Sequence, residues 1–294
     1  MSYRKIQVER RSPYLGAWVR GVDLRQDIDI DTIAEIRRAL LEFHVLFFRN
    51  QPISGEQQLA FAGCFGEIDD PHPVFDNEED IDRRLTVIES KGRRSDAEHY
   101  WHTDVTYQAA PSMGSILAAK KIPDSGGDTL FASMYAAYDS LSAPLQRLCA
   151  ELTAQHSIER GWGATLRMFD DGEDRVHKLR KRFPLMTHPV LRTHPETGRT
   201  ALYVSEYYTS RINELSEPES EAVLKLLHHH AQLPDFQIRH VWQVNDLVFW
   251  DNRCTQHYAS HDYGAAHRVM NRVTLVGDPP YYRGSENVAL EGSA

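Results

Sequence analysis

The sequence predicts a mainly β fold with flanking helices, closed as a jelly roll, and three observations carry that prediction. Helical periodicity begins early, strand-like runs gather in the last third, and no linker, repeat or low-complexity tract divides the 294 residues. Helices beside a late, loop-separated set of strands suggest a β-sandwich with helices on one face. A jelly roll closes such a sheet set around an internal site. Residues 1–294 are therefore expected to form a single domain, with a disordered tail after Gly284.

The elements follow in order. The first 30 residues read as short strands with turns at Gly16 and Gly21. Asp31 is placed to cap an amphipathic helix over Thr32–Phe43, with Ile33, Ile36, Leu40 and Leu41 on one side. Val45-Leu46-Phe47-Phe48 has the continuous apolar character of a buried strand, and Ser54 opens a second helix. Residues 71–100 are polar and irregular, as expected of long loops over a site. A helical region covers Met134–Leu152, and residues 159–184 form a charged insertion with Trp162 and Phe169 as isolated large apolar groups. Ser216-Glu217-Pro218-Glu219 is a capping box that starts a helix running to about His230. Strands are expected over Phe236–Trp242, Asp246–Trp250 and Arg268–Val276.

Composition removes several classes of function. A formal net charge of −9 argues against nucleic acid, because binding phosphates needs a surplus of lysine and arginine. Met1-Ser2-Tyr3-Arg4-Lys5 leads into polar sequence, so no signal peptide is expected, and no apolar run is long enough for a membrane span. The three cysteines, Cys64, Cys149 and Cys254, are odd in number and far apart. They read as reduced thiols of a cytoplasmic protein.

Three motifs carry chemistry. In Trp101-His102-Thr103-Asp104, a strand would send His102 and Asp104 to one face and Thr103 to the other. An HxD triplet alone is weak, since a histidine hydrogen-bonded to a nearby acid looks the same. The second motif is Trp250-Asp251-Asn252-Arg253-Cys254-Thr255-Gln256-His257, whose histidine lies 153 residues after Asp104 (257 − 104). Two imidazoles and one carboxylate can occupy one face of an octahedral iron(II) and leave positions open. Zinc sites more often close tetrahedrally, frequently with thiolates. The third motif is Arg268-Val269-Met270-Asn271-Arg272-Val273-Thr274. As a strand it places Arg268, Met270, Arg272 and Thr274 on one face, the two guanidiniums about 13 Å apart at ~3.3 Å per residue. Two buried guanidiniums require anions to meet them. The alternative is an outward, solvated face.

Together and in this order, the motifs resemble the taurine dioxygenase family of iron(II)/2-oxoglutarate-dependent dioxygenases. The likeness runs from Pro13-Tyr14-Leu15-Gly16-Ala17 to Tyr281-Tyr282-Arg283, and includes Gly126-Gly127-Asp128-Thr129-Leu130 and Gln256-His257-Tyr258. It implies a double-stranded β-helix with iron(II) on His102, Asp104 and His257. It implies that Arg268 and Thr129 bind the 2-oxoglutarate carboxylate, with O₂ as the second co-substrate, and that the chain assembles as a dimer or tetramer.

The resemblance also implies a small anionic substrate. Arg272 and His72 match a sulfonate-binding pair, which points to taurine or a related sulfonate, with sulfite and an aldehyde as products. Val105, Phe75, Trp162, Tyr208 and Glu98 complete the implied pocket. Phe75 stands where tyrosine is expected, Trp162 where phenylalanine is usual, and Tyr207-Tyr208 replaces a glycine–phenylalanine pair. Glu98 replaces an asparagine and could meet an ammonium group. These departures keep open an alkyl sulfate, an aryloxyalkanoate or an amino acid derivative. More distant alternatives are a metal-dependent hydrolase and a non-catalytic binding protein.

Overall fold

The computed structural model describes residues 2–70, 84–90 and 100–284, so the expected tail lies outside the described residues. Strands β1 (Gln7–Arg10) and β2 (Ala17–Arg20) pair antiparallel. Gly16 and Gly21 take φ of +85° and +81° at the expected turns, a region that strains any side chain. Helix α1 (Ile30–Phe43) is capped by Asp29, not Asp31. The Asp29 carboxylate accepts from the backbone N–H groups of Asp31 and Thr32, which moves the start two residues earlier than expected. Strand β3 (Val45–Phe48) follows, and Ser54 caps α2 (Gly55–Gly63) through a reciprocal box with Gln57.

Within the stretch expected to be loops, β4 (Thr86–Ser90) is a strand, built on the β-branched run Thr86-Val87-Ile88. Strands β5 (Gly114–Lys121) and β6 (Thr129–Ser133) come next. The single helix expected over 134–152 is two, α3 (Met134–Asp139) and α4 (Ala143–Ala150). Pro144 falls in the first turn of α4, where its missing N–H costs nothing; inside a continuous helix it would break the ladder. After β7 (Thr153–His156), the charged insertion folds as two helices, α5 (Ile158–Leu166) and α6 (Gly172–Arg182). Glu159 ties them together by ion pairs to Arg167 and Arg180. Trp162 is buried here, while Phe169 is exposed.

Strands β8 (Met186–Pro189), β9 (Leu191–Thr193), β10 (Thr200–Leu202) and β11 (Thr209–Ile212) precede α7 (Glu217–Ala231), whose Ser216–Glu219 capping box is present. The chain closes with β12 (Gln237–His240), β13 (Leu247–Asp251), β14 (Thr255–Ala259) and β15 (Arg268–Leu275).

The strands assemble into a seven-stranded sheet, β1-β2-β3-β13-β5-β15-β4, and smaller sheets β12-β6-β14, β11-β7-β8 and β10-β9. Alternation along each strand assigns the faces. Leu46, Phe48, Ile116, Ala118, Leu247, Phe249, Val273 and Leu275 pack with Ile36 and Leu40 of α1, Phe61 of α2 and Phe65 just after it. Their neighbours Val45, Phe47, Leu117, Val248, Trp250 and Met270 instead pack with Phe131 and Ile238 of the β12-β6-β14 sheet. That second sheet is backed in turn by α3 and α7 through Ala132, Met134, Tyr135, Leu224 and Leu227. Helices therefore cover the two principal sheets from both sides, not from one face as expected, because each sheet has an apolar outer face to cover. Among the described residues, no helix is long and apolar enough to cross a membrane.

Candidate active site

The end of the space between the two principal sheets brings His102, Asp104 and His257 together. His102 and His257 form an isolated antiparallel bridge and exchange both backbone hydrogen bonds, at 3.0 and 2.8 Å. Thr103 points away, its hydroxyl donating to the Thr255 carbonyl at 2.9 Å. The segment is not the extended strand the sequence suggested. After the single bridge at His102 the chain turns at Asp104, and Val105 takes φ of +46°. A β-branched residue there is an outlier costing about 1–3 kcal/mol, which surrounding contacts must hold in place.

The donor atoms converge. Asp104 Oδ1 lies 3.9 Å from His102 Nε2 and 3.7 Å from His257 Nε2, and the three ligand atoms all fall within 4.8 Å of one another. Those separations are too long for hydrogen bonds, so the donors face one another without satisfying one another. His102 Nδ1 donates to the Tyr100 carbonyl at 2.9 Å, leaving the Nε2 lone pair for a metal. Asp104 turns its other oxygen to Ser115 Oγ at 2.7 Å and Asn252 Nδ2 at 3.2 Å, and Asn252 Oδ1 accepts from Trp250 Nε1. Burial alone would raise the Asp104 carboxyl, but His257, Arg272, His102 and the Ser115 hydroxyl hold it well below the usual carboxylate range. The set fits an iron(II) ion: two imidazoles and one ionised carboxylate, clustered and buried.

Both arginines of β15 turn inward, and the outward alternative fails. Arg268, Met270 and Arg272 are buried, while the residues between them face the other way. Arg272 Nη1 reaches Asp104 Oδ1 at 3.4 Å. Arg268 lies against the Gly126–Gly127 turn, where a Cβ on Gly127 would sit 3.4 Å from its side chain. Thr129 is buried at the start of β6, its hydroxyl accepting from Trp242 Nε1 at 3.0 Å.

Arg272 also lines a cavity of about 410 Å³ together with Val105, Tyr107, Phe183, Met186 and Asp69. Trp162 and Tyr208 lie beside it, packed in one cluster with Val105 and Tyr107, and Trp162 Nε1 donates to the Tyr208 hydroxyl at 3.3 Å. His72, Phe75 and Glu98 lie outside the described residues. Sequence reasoning missed Tyr107, whose ring is edge-on to Phe183 and Tyr208. Ser115, which carries no local signal, and Asn252, which lies inside the second motif, also escape it as partners of Asp104.

A second buried group, His194, Asp251 and Cys254, is equally compact. Its atoms are already engaged. Arg253 grips both Asp251 oxygens at 2.9 and 2.7 Å, and His194 Nε2 donates to Asp251 at 3.0 Å while its Nδ1 accepts from two backbone N–H groups. Burial pushes the Cys254 thiol well above its ordinary value, so it stays protonated.

Residues 7–274 match the model of the taurine catabolism dioxygenase TauD, TfdA family. The chain is 35% identical to an alkylsulfatase of Acinetobacter baylyi over 94% of its own length and 86% of that protein's. It is 36% identical to an alpha-ketoglutarate-dependent sulfate ester dioxygenase of Pseudomonas putida, covering 90% of this chain and 88% of that one. The crystal structure of a taurine dioxygenase from Burkholderia xenovorans superposes with a TM-score of 0.80 at 36% identity, covering 94% of this chain and 93% of the other.

Proposed function

The chain belongs to the TauD, TfdA family and is an iron(II)- and 2-oxoglutarate-dependent dioxygenase, and from that premise we propose that its primary substrate is an alkyl sulfate ester. One observation carries the choice. The cavity beside the metal residues has about 410 Å³; Val105, Tyr107, Ala109, Ala110, Phe183 and Met186 give it one apolar side, Asp69, Asp70, Gln108, Ser112 and Arg182 are polar parts of the same wall, and Arg272 is its buried cation. That volume is in the range of ligands with a sizeable body, and a two-carbon aminosulfonate would fill a small part of it. An alkyl chain would use the apolar side, and a sulfate would meet the guanidinium.

The same reading takes the seven-stranded sheet and the β12-β6-β14 sheet as the two walls of a jelly roll, since one apolar layer fills the space between them. His102, Asp104 and His257 hold the metal, and Arg268 and Thr129 bind the distal carboxylate of 2-oxoglutarate. Arg272, four residues along the same strand face, binds the substrate anion. Val105, Trp162 and Tyr208 shape the substrate side, with His72, Phe75 and Glu98 contributed from outside the described residues. When bound, the iron with 2-oxoglutarate and O₂ supplies the oxidation that places a hydroxyl on a substrate carbon, releasing succinate and CO₂. A hydroxyl on the carbon bearing the sulfate then collapses. Its O–H becomes a carbonyl, the C–O bond to sulfate breaks with its electron pair, and aldehyde and hydrogensulfate leave.

A second reading, taurine or another short sulfonate, has Asp69 and Asp70 in its favour, since both line the same cavity and could receive an ammonium group. The test measures succinate, sulfate and sulfite with hexyl sulfate, hexanesulfonate and taurine under iron(II), O₂ and 2-oxoglutarate. Hexyl sulfate should stimulate succinate release most, with sulfate matching the added succinate. Greater stimulation by taurine, with sulfite released, overturns the first reading in favour of the second.

A further inference from the structure

Behind the metal residues lies a pair of buried histidines that neither the metal nor the cavity uses. His156 ends β7 and His188 lies in the adjoining strand β8, their rings 5.1 Å apart and both against Tyr203. Both reach across to the turn that follows Asp104. His156 Nδ1 is 2.9 Å from Thr106 Oγ1. His188 Nε2 donates to two carbonyls, Thr106 at 2.9 Å and Gln108 at 3.0 Å. Carbonyls only accept, so the proton on His188 Nε2 is fixed by its partners.

These contacts fall where the backbone needs holding. Val105, at φ of +46°, precedes Thr106, and the turn closes with Gln108 N–H on the Val105 carbonyl at 2.9 Å. A left-handed β-branched residue persists only where its surroundings fix it. The imidazoles anchor both sides of the peptide chain just beyond it. The helices α5 and α6 run between β7 and β8, so the strands bearing the two histidines also carry the cavity wall at Phe183 and Met186.

We propose that His156 and His188 are positioning residues: by clamping the 104–108 turn to the β7–β8 pair, they set the Asp104 carboxylate and the Val105 side of the substrate cavity as one unit. Burial keeps both imidazoles neutral, lowering the affinity of each for a second proton. The clamp touches neither metal nor substrate and acts through the turn. It does not depend on which anion is the substrate.

The test uses the full chain and reads Mn(II) affinity by titration, together with the KM for hexyl sulfate and for 2-oxoglutarate. His188→Leu should weaken Mn(II) binding by about tenfold, the usual scale for losing a residue that orients a metal ligand. The hexyl sulfate KM should rise several-fold, while the 2-oxoglutarate KM holds, since Arg268 and Thr129 lie on β15 and β6. His188→Gln, which can place an N–H near the same carbonyls, should restore both. A folded His188→Leu protein with unchanged Mn(II) affinity overturns the proposal, as does His188→Gln being as impaired as His188→Leu. If His188→Leu fails to fold, Thr106→Val decides. It removes the His156 contact at nearly constant shape and should weaken Mn(II) binding measurably; an unchanged affinity refutes the clamp. If the Mn(II) arm holds and hexyl sulfate proves inert, the clamp stands and the choice of substrate falls.

Discussion

Two buried histidine–aspartate clusters sit on either side of Asn252, alike in composition and opposite in character. In His102, Asp104 and His257 the donor atoms face one another at 3.7 and 3.9 Å, too far apart to bond. In His194, Asp251 and Cys254 the aspartate is saturated by Arg253 and His194, and Arg253 in turn reaches Glu196 at 2.7 Å. Proximity of ligand-type residues therefore does not identify a metal site. What separates the two is that Arg253 and His194 close on the Asp251 carboxylate, whereas the Nε2 atoms of His102 and His257 face Asp104 Oδ1 without bonding it.

The largest effects should come from breaking each cluster at its aspartate or histidine. His257→Ala should abolish 2-oxoglutarate turnover and measurable metal binding while changing the thermal midpoint of the metal-free protein little. Asp251→Ala should do the reverse, costing about 3–5 kcal/mol of stability because Arg253 is left buried with a reduced partner set. Urea titration and Mn(II) titration of both variants check the pair, and a metal-free His257→Ala protein as unstable as Asp251→Ala would erase the distinction. Asn252→Ala comes next. It removes one of two hydrogen bonds on the outer oxygen of Asp104 and should weaken Mn(II) binding by about tenfold. Cys254→Ser should leave metal affinity and stoichiometry unchanged; a lost second equivalent of metal would make the other cluster a site after all.

The last prediction concerns pH. His44 lies beside the saturated cluster, and burial, partly opposed by Asp251, lowers its pKa to about 4; burial also lowers His228 to about 4. The unfolded chain binds these protons near the ordinary value of 6.5 and the folded chain does not. Stability should accordingly be highest above pH 6.5 and decline as pH falls from 6.5 towards 4. Urea midpoints across that window check the sign, and His44→Phe should flatten the slope.

The sequence made the metal residues legible because a short HxD and a strand ending in a histidine are local patterns, and alternation along β15 put both arginines on one face, which packing then turned inward. What it concealed was mostly long-range. Ser115 reaches Asp104 only because β5 runs beside β13 and β15, and nothing around residue 115 announces it. The left-handed Val105 was hidden for the same reason, since the residue type argues for a strand and contacts from β7 and β8 hold it otherwise. Local misreadings had local causes. The α1 cap went to Asp29 over Asp31, and Pro144 started a second helix where periodicity alone continued the first.

The bridge between His102 and His257 also has a consequence in time. During synthesis, His102 and Asp104 exist for as long as it takes to make the next 153 residues (257 − 104) before the third ligand and its strand arrive. At roughly 5–20 residues per second, that interval is about 8–30 s. Through it the nascent chain offers only a two-point, unclosed grip on iron, and the ion can be captured firmly only after the two distant segments have zipped together.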